Sequence, residues 1–327
     1  MPKKEERMLI NIKGQIMNFT KKRNSLEKAI DWVKNHRITN SGIVVHHKTK
    51  DVTPEVTGYL ITSLYHAGEK ELALELAHWE MTVQQPDGSF LAPDQISYTF
   101  DTAQVVRGFL TVLNDIPEVE SYLRRACDFI VSQIDSDGEI QTPSYNSWRL
   151  SKGRELSRYC NLFVIVPLLE AGKKLNEEKY TNEALRSLEF YKKQSDLTEF
   201  KSDLGTLSHI FGYMMEALAD LGELELAQKG LDQAAAIQKQ DGAIPAYPGV
   251  DWVCSTGMAQ LGLAWYKIGN LEKAKEMLTY LEKIQNRSGG FFGGYGKGAE
   301  YFPNEEICWA NKFFIDLCLL VRGGHND

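Results

Sequence analysis

The sequence predicts an all-α protein, an (α/α)6 toroid of six helical hairpins, and three observations lead there. Helical segments alternate along the chain between amphipathic and almost wholly apolar. Each amphipathic segment runs into a turn, most clearly Gln84-Gln85-Pro86-Asp87-Gly88-Ser89-Phe90, and the unit recurs at intervals of about 50 residues. The apolar partners offer solvent no polar face, so they need neighbours on all sides. Closing the stack into a ring supplies them and removes the polar end caps an open stack requires.

Taken in order, the first members of the hairpins lie near 24–35, 70–83, 119–134, 177–194, 224–239 and 271–285. They are rich in Ala, Leu, Glu and Lys, as outward helices should be. The second members lie near 54–67, 101–114, 158–171, 206–221, 255–268 and 305–321, and are assigned to the inside. Leu162-Phe163-Val164-Ile165-Val166-Pro167-Leu168-Leu169 is the clearest of them. Glycine turns follow the first members at Ser41-Gly42, Asp87-Gly88, Asp137-Gly138, Asp241-Gly242 and Ser288-Gly289-Gly290, with Gln194-Ser195-Asp196 as a degenerate copy. Links back to the next outer helix, such as His66-Ala67-Gly68-Glu69, are short, whereas those from outer to inner helix run about ten to twenty-odd residues. All the long loops therefore fall on one face, and that face is the one expected to carry function.

The toroid fills 24–321. Before it, residues 1–23 place Met8, Leu9, Ile12, Ile16 and Phe19 at helical spacing among Lys and Arg. This is a helical arm expected to pack across the body, or alternatively to meet a membrane surface or a partner. Residues 322–327 are expected to form a disordered tail.

A formal net charge of −7 and the lack of a Lys/Arg-rich stretch argue against a nucleic-acid binder. Five scattered cysteines in apolar surroundings read as reduced thiols and a cytoplasmic setting. Neither a signal-type start nor a run of roughly 18 apolar residues is present, so no membrane span is expected.

Parallel inner helices aim their N-termini at one mouth, where free backbone N–H groups favour an anionic or oxygen-rich ligand. Glu55 in Thr53-Pro54-Glu55 and Asp101 in Asp101-Thr102-Ala103-Gln104 each read locally as helix-start chemistry, the second as a capping box. Together with Asp251 and Glu305 they become carboxylates from separate inner helices facing one cavity, which is what acid/base work on a sugar bond needs. Glu55 and Asp101 are the expected acid/base pair. His209, with Tyr213 one turn on, is either a hydrogen-bonded core histidine or an alternative proton-transfer pair. Neighbouring His46 and His47 point apart in an extended loop, so one at most faces the cavity, and His46 is assigned to it. On the longest loop Trp148 is placed to stack on a sugar and Arg149 to grip a carboxylate. Tyr98, Tyr159, Trp252 and Tyr301 complete the expected binding rim.

No metal or other cofactor is expected. Asp251 and Cys254 lack a histidine-rich partner motif, and the loop Gly289-Gly290-Phe291-Phe292-Gly293-Gly294-Tyr295-Gly296 has no phosphate-loop Lys-Ser/Thr. Aromatic walls with glycines suit a lid or a carbohydrate rim instead.

The Gln-x-x-Asp-Gly-Ser-Phe turns resemble the repeats of the prenyltransferase and squalene-cyclase toroid superfamily, over roughly 24–321. Pro54-Glu55-Val56-Thr57-Gly58-Tyr59-Leu60, Phe100-Asp101-Thr102-Ala103-Gln104-Val105 and Tyr301-Phe302-Pro303-Asn304-Glu305-Glu306-Ile307-Cys308-Trp309-Ala310 look most like stand-alone toroid proteins found with bacterial surface-polysaccharide genes. Those proteins share a general likeness with the helical domains of glucuronyl epimerases and with unsaturated glucuronyl hydrolases. Where a class II terpene cyclase has Asp-x-Asp-Asp-Thr-Ala, this chain has Tyr98-Thr99-Phe100-Asp101-Thr102-Ala103 and keeps one acid of three. The histidine of a prenyltransferase zinc set is missing as well. The resemblance thus implies an enzyme acting on an acidic, uronic-acid-type polysaccharide or its precursor by hydrolysis, elimination or epimerisation. A non-catalytic glycan-binding or assembly protein of polysaccharide biosynthesis is the first alternative, and a terpenoid cyclase- or prenyltransferase-like enzyme the lesser one.

Overall fold

The computed structural model describes residues 23–142, 149–150 and 154–323. Twelve α-helices run through them as six hairpins: α1 (Ser25–Asn35) with α2 (Pro54–His66), α3 (Lys70–Val83) with α4 (Thr99–Val112), α5 (Val119–Ser132) with α6 (Leu162–Lys174), α7 (Glu178–Lys192) with α8 (Ser208–Asp220), α9 (Leu224–Ala236) with α10 (Ser255–Lys267), and α11 (Leu271–Ile284) with α12 (Cys308–Gly323). The even-numbered helices form the inner ring. α2 packs on α4, α4 on α6, α6 on α8, α8 on α10, α10 on α12, and α12 returns to α2. The fold is the (α/α)6 toroid.

The recurring glutamine explains how one hairpin is fixed to the next. Gln84 Nε2 donates to the carbonyl of Gly88 in its own turn (3.1 Å) and to that of Tyr122 in the next outer helix (2.9 Å). Gln285 Nε2 does the same to Gly289 (3.0 Å) and to Ser25 (2.9 Å), so the clamp between hairpins two and three also joins the sixth hairpin to the first. The first turn departs from the pattern: Asn40, not Gly42, takes the left-handed backbone (φ 56°), and Gly42 is required because a Cβ there would lie 2.6 Å from the Trp79 ring.

Further bonds seal the junction. Glu306, buried at the loop's end, accepts from Trp32 Nε1 (2.6 Å), Asn286 Nδ2 (2.8 Å) and Ser288 Oγ (2.5 Å). Its own N–H donates to His47 Nδ1 (2.8 Å), and Asn311 Nδ2 donates to the carbonyl of Ala29 (3.3 Å).

Helix starts differ from expectation where local geometry intervenes. Arg158–Asn161 form a 3₁₀ turn, so the third inner helix begins at Leu162. The second begins at Thr99 with Tyr98 as its N-cap, which makes Asp101 the third helical residue and overturns the capping-box reading. Thr53 does precede Pro54 at the start of α2, but makes no side-chain cap bond. Two-residue strands Val253–Cys254 and Gly294–Tyr295 pair antiparallel and tie the loop before α10 to the loop before α12. The arm predicted over 1–23 lies, except for Arg23, outside the described residues, as do 324–327. α12 itself runs two residues past the expected limit.

One core residue is out of keeping with its place. Glu80 on α3 is wholly buried, neither carboxylate oxygen has a hydrogen-bond partner, and burial holds its pKa well above the ordinary 4.5. The folded chain therefore keeps a proton that the unfolded chain loses as pH rises past 4.5, and stability falls with rising pH above that point. Glu80→Leu is expected to stabilise the fold by about 1–3 kcal/mol at pH 8 and by less at pH 4, read from urea midpoints at the two pH values.

Candidate active site at the N-terminal mouth

Two close helix crossings build the mouth. A Cβ on Gly58 would lie 2.7 Å from Val105 Cα, and one on Gly108 would lie 2.5 Å from the Gly58 carbonyl. Only glycine permits α2 and α4 to approach so closely, and Glu55 and Asp101 stand at the starts of these two helices. Across the ring, Gly257 lets α10 meet Ser208 at the start of α8, and Gly212 lets α8 meet Gln260. That crossing presents His209 and Gln260.

Asp101 is 4% exposed, and its Oδ1 has no hydrogen-bond partner. Burial holds its pKa well above the ordinary value, and the charges of Glu55 and Asp94 push it further. Glu55 keeps some access to solvent, yet burial raises its pKa to about 7. Its field reaches Tyr59 on α2, Asp101 on α4, Cys160 ahead of α6, Tyr213 on α8, Tyr301 in the loop before α12 and Cys308 at the start of α12. Glu55 thus lies within electrostatic reach of groups on four inner helices and on the loops before two of them.

His209 is buried, and burial lowers its pKa to about 4, so it is a neutral imidazole. Its Nδ1 donates to Gln260 Oε1 (2.6 Å), which leaves Nε2 as an acceptor. The contact with Tyr213 is ring against ring, 4.6 Å between centroids. Burial and the charge of Glu55 hold the Tyr213 phenol well above its usual pKa, so it keeps its proton. Phe100, Phe163 and Phe313 surround Tyr213 at 4.9, 4.8 and 5.7 Å, and this aromatic layer closes the axis of the ring beneath the mouth.

The remaining expected residues divide into two groups. Tyr301 reaches the mouth, 5.9 Å from the His209 ring. His46 packs near Phe302 (6.0 Å), while His47 turns to the Glu306 backbone, so the two histidines do point apart. Tyr98 is buried and donates to Asp94 (2.7 Å). The expected set of four carboxylates is reduced to two: Asp251 is 93% exposed and held outward by Lys239 (2.8 Å), and Glu305 pairs with Lys48 (3.0 Å). Tyr159 donates to Asp196 (2.6 Å) and packs toward Tyr191 on the outer helix α7, away from the mouth. Trp252 is buried edge-on to Tyr247 and is no open platform. Trp148 lies outside the described residues, and Arg149 opens the short strand Arg149–Leu150.

Sequence reasoning missed Tyr59 and Gln260. Tyr59 stands one turn after Glu55, at i+4, and its hydroxyl is buried without a partner, as are Gln260 Nε2, Thr256 Oγ1 and Trp252 Nε1. Buried polar groups without partners are rare, which makes these four candidates for contact with a ligand. Thiol chemistry has no support there, since burial pushes Cys160 and Cys254 up to about 12.

No protein-family model matches the chain, and no curated protein matches it. Among solved structures the chain is similar to an unsaturated glucuronyl hydrolase specific for heparin, with a TM-score of 0.69 and 12% identity over 93% of this chain and 97% of that one. It is similar also to the unsaturated glucuronyl hydrolase of Bacillus sp. GL1, responsible for the degradation of glycosaminoglycan (TM-score 0.63, 16% identity, 92% and 96% covered). A third is a glycosidase variant in complex with glucose (TM-score 0.68, 11% identity, 91% and 97% covered). At these identities the likeness shows a shared α/α toroid along nearly the whole of both chains.

Proposed function

We propose that this chain is a glycosidase acting on an oligosaccharide that carries a uronic acid or comparable acidic sugar, with Asp101 as general acid and Glu55 as base. The carrying observation is the pair of carboxyl groups at adjacent inner-helix starts, whose surroundings raise both proton affinities to different extents. Asp101, the deeper, has its proton affinity raised well above that of an ordinary aspartate and is the one assigned the proton. Glu55, near 7, exchanges its own. As the glycosidic C–O bond breaks, Asp101 gives its proton to the leaving oxygen, while Glu55 takes one from the attacking water. The water oxygen bonds to the anomeric carbon, and return of the proton from Glu55 to Asp101 restores the pair. The converging helix N-termini supply N–H groups for the sugar's carboxylate, and neutral His209 and Tyr301 offer contacts to its hydroxyls. Arg149 and Trp148 remain proposed as carboxylate anchor and sugar platform.

The likeness in fold to glucuronyl hydrolases favours hydrolysis over elimination or epimerisation by the same pair. The proposal extends to an acidic polysaccharide or its lipid-linked precursor as substrate. Five buried cysteines suit a cytoplasmic setting, and among the described residues no helix is long and apolar enough to cross a membrane.

The test is a panel of unsaturated uronyl disaccharides, saturated glucuronides and neutral disaccharides, followed by mass spectrometry. Hydrolysis of acidic members alone, each cleavage adding one water, is expected. Tight binding of acidic members with no turnover would move the chain to the glycan-binding reading, and indifference to all of them would sink both.

A further inference from the structure

On the other side of the aromatic layer, running from Tyr59, Phe163 and Lys312 to the C-terminal ends of inner helices, lies a cavity of about 860 Å³. All six inner helices line it, through Tyr59, Arg107, Phe163, Glu216, Lys267 and Lys312 among others. Neither Glu55 nor Asp101 lines it, although Tyr59, one turn after Glu55, does, and its size is that of a pocket for a small molecule.

Its charges are built in from the backbone up. Pro167 inside α6 has no N–H, which leaves the carbonyl of Phe163 without its helical donor. Arg107 Nη2 takes that place at 2.8 Å, its Nε donates to Gln104 Oε1 (3.2 Å), and its guanidinium lies 3.9 Å above the Phe163 ring. No carboxylate lies within ion-pair distance of Arg107 among the described residues, although its charge reaches Glu216. Lys312, 5% exposed, stands 3.8 Å above Phe313 with Asp316 at 2.9 Å. Lys267 bridges Glu216 Oε1 (2.9 Å) and Asp220 (2.8 Å). Glu216 is 4% exposed, and its second oxygen, Oε2, is buried with no hydrogen-bond partner. At the rim Lys173 and Lys174 are exposed and make no ion pair among the described residues.

Lysines at helix C-termini often do no more than offset the helix dipole. Arg107 and Lys312 do not sit there: one is the ninth residue of α4, the other the fifth of α12. Cations fixed in mid-helix against aromatic rings, beside a carboxylate oxygen that still lacks a donor, make a site for a ligand that brings both an acid group and hydroxyls.

We propose that this cavity binds a small polyhydroxylated anion, a sugar acid or sugar phosphate, with its acid group on Arg107 and Lys312 and a hydroxyl donated to Glu216 Oε2. Leu263 and Leu319 offer apolar wall to the C–H face of the ring. Lys173 and Lys174 draw the anion in from solvent. The site stands whether or not the opposite mouth hydrolyses sugars.

Calorimetric titration of the full chain with D-glucuronate, glucose 6-phosphate, glucose and inorganic phosphate tests this. One of the two acidic sugars is expected to bind, and the tighter one identifies carboxylate or phosphate as the natural group. Glucose and inorganic phosphate should each bind at least tenfold more weakly. Arg107→Gln and Glu216→Gln should weaken the acidic sugar about tenfold or more, and Lys173→Ala with Lys174→Ala severalfold, whereas Asp101→Asn should leave this binding in place. Leu263→Trp, which fills the cavity, decides the matter should Arg107→Gln not fold. No binding of either acidic sugar would overturn the proposal, as would binding that survives Leu263→Trp and disappears in Asp101→Asn. Equal affinity for inorganic phosphate would remove the hydroxyl contact and with it the sugar.

Discussion

Asp101→Asn is expected to lower kcat on an acidic oligosaccharide by about 10²–10⁴-fold with little change in KM, because the amide keeps the shape of the side chain and loses only the transferable proton. Glu55→Gln is expected to cause a loss of similar size by a different route, and pH separates the two. In the parent, kcat/KM should rise as Glu55 loses its proton around pH 7, then fall at higher pH as Asp101 loses its own. Both steps belong to an interacting pair, so the profile reports apparent values for the two groups together. Glu55→Gln should flatten the rising limb and keep the falling one. Should Glu55→Gln instead erase the falling limb, the acid and base would have to be exchanged. Full activity in Asp101→Asn would remove the assignment altogether.

How far the ring was legible follows from what repeats. The Gln-to-glycine turn, the alternation of amphipathic and apolar helices and the asymmetry of loop length are all periodic, and together they gave the six hairpins. The acid pair was only half legible. Glu55 and Asp101 announce themselves as first-turn acids, but their closeness depends on Gly58 and Gly108 meeting across two helices, which no local pattern reveals. Asp251 looked equivalent until Lys239, twelve residues earlier, drew it outward. Arg107 was out of reach for the same kind of reason: what fixes it is an N–H that Pro167 lacks, on a neighbouring helix.

Ring closure carries the last large effect. The first and sixth hairpins are about 250 residues apart in sequence, so holding their ends together costs chain entropy that local contacts must offset. Much of that task falls to one buried carboxylate: Glu306 takes bonds from Trp32 on the first hairpin and from Asn286 and Ser288 on the sixth. Glu306→Ala leaves three donors without their acceptor, one of them the indole of fully buried Trp32, and is expected to cost about 3–5 kcal/mol. Glu306→Gln keeps an acceptor oxygen and should cost less. Urea unfolding followed by Trp fluorescence measures both, and hydrogen exchange locates the damage: protection should fall first in α1 and at the start of α12, on the two sides of the junction. If the two ends were merely neighbours in an open stack, Glu306→Ala would be nearly neutral and exchange would be unchanged in α1. The same junction fixes Cys308, whose N–H donates to the carbonyl of Val45 at 3.1 Å, and Cys308 lies within the field of Glu55. Loosening it should therefore lower activity as well as stability, without altering any residue of the acid pair.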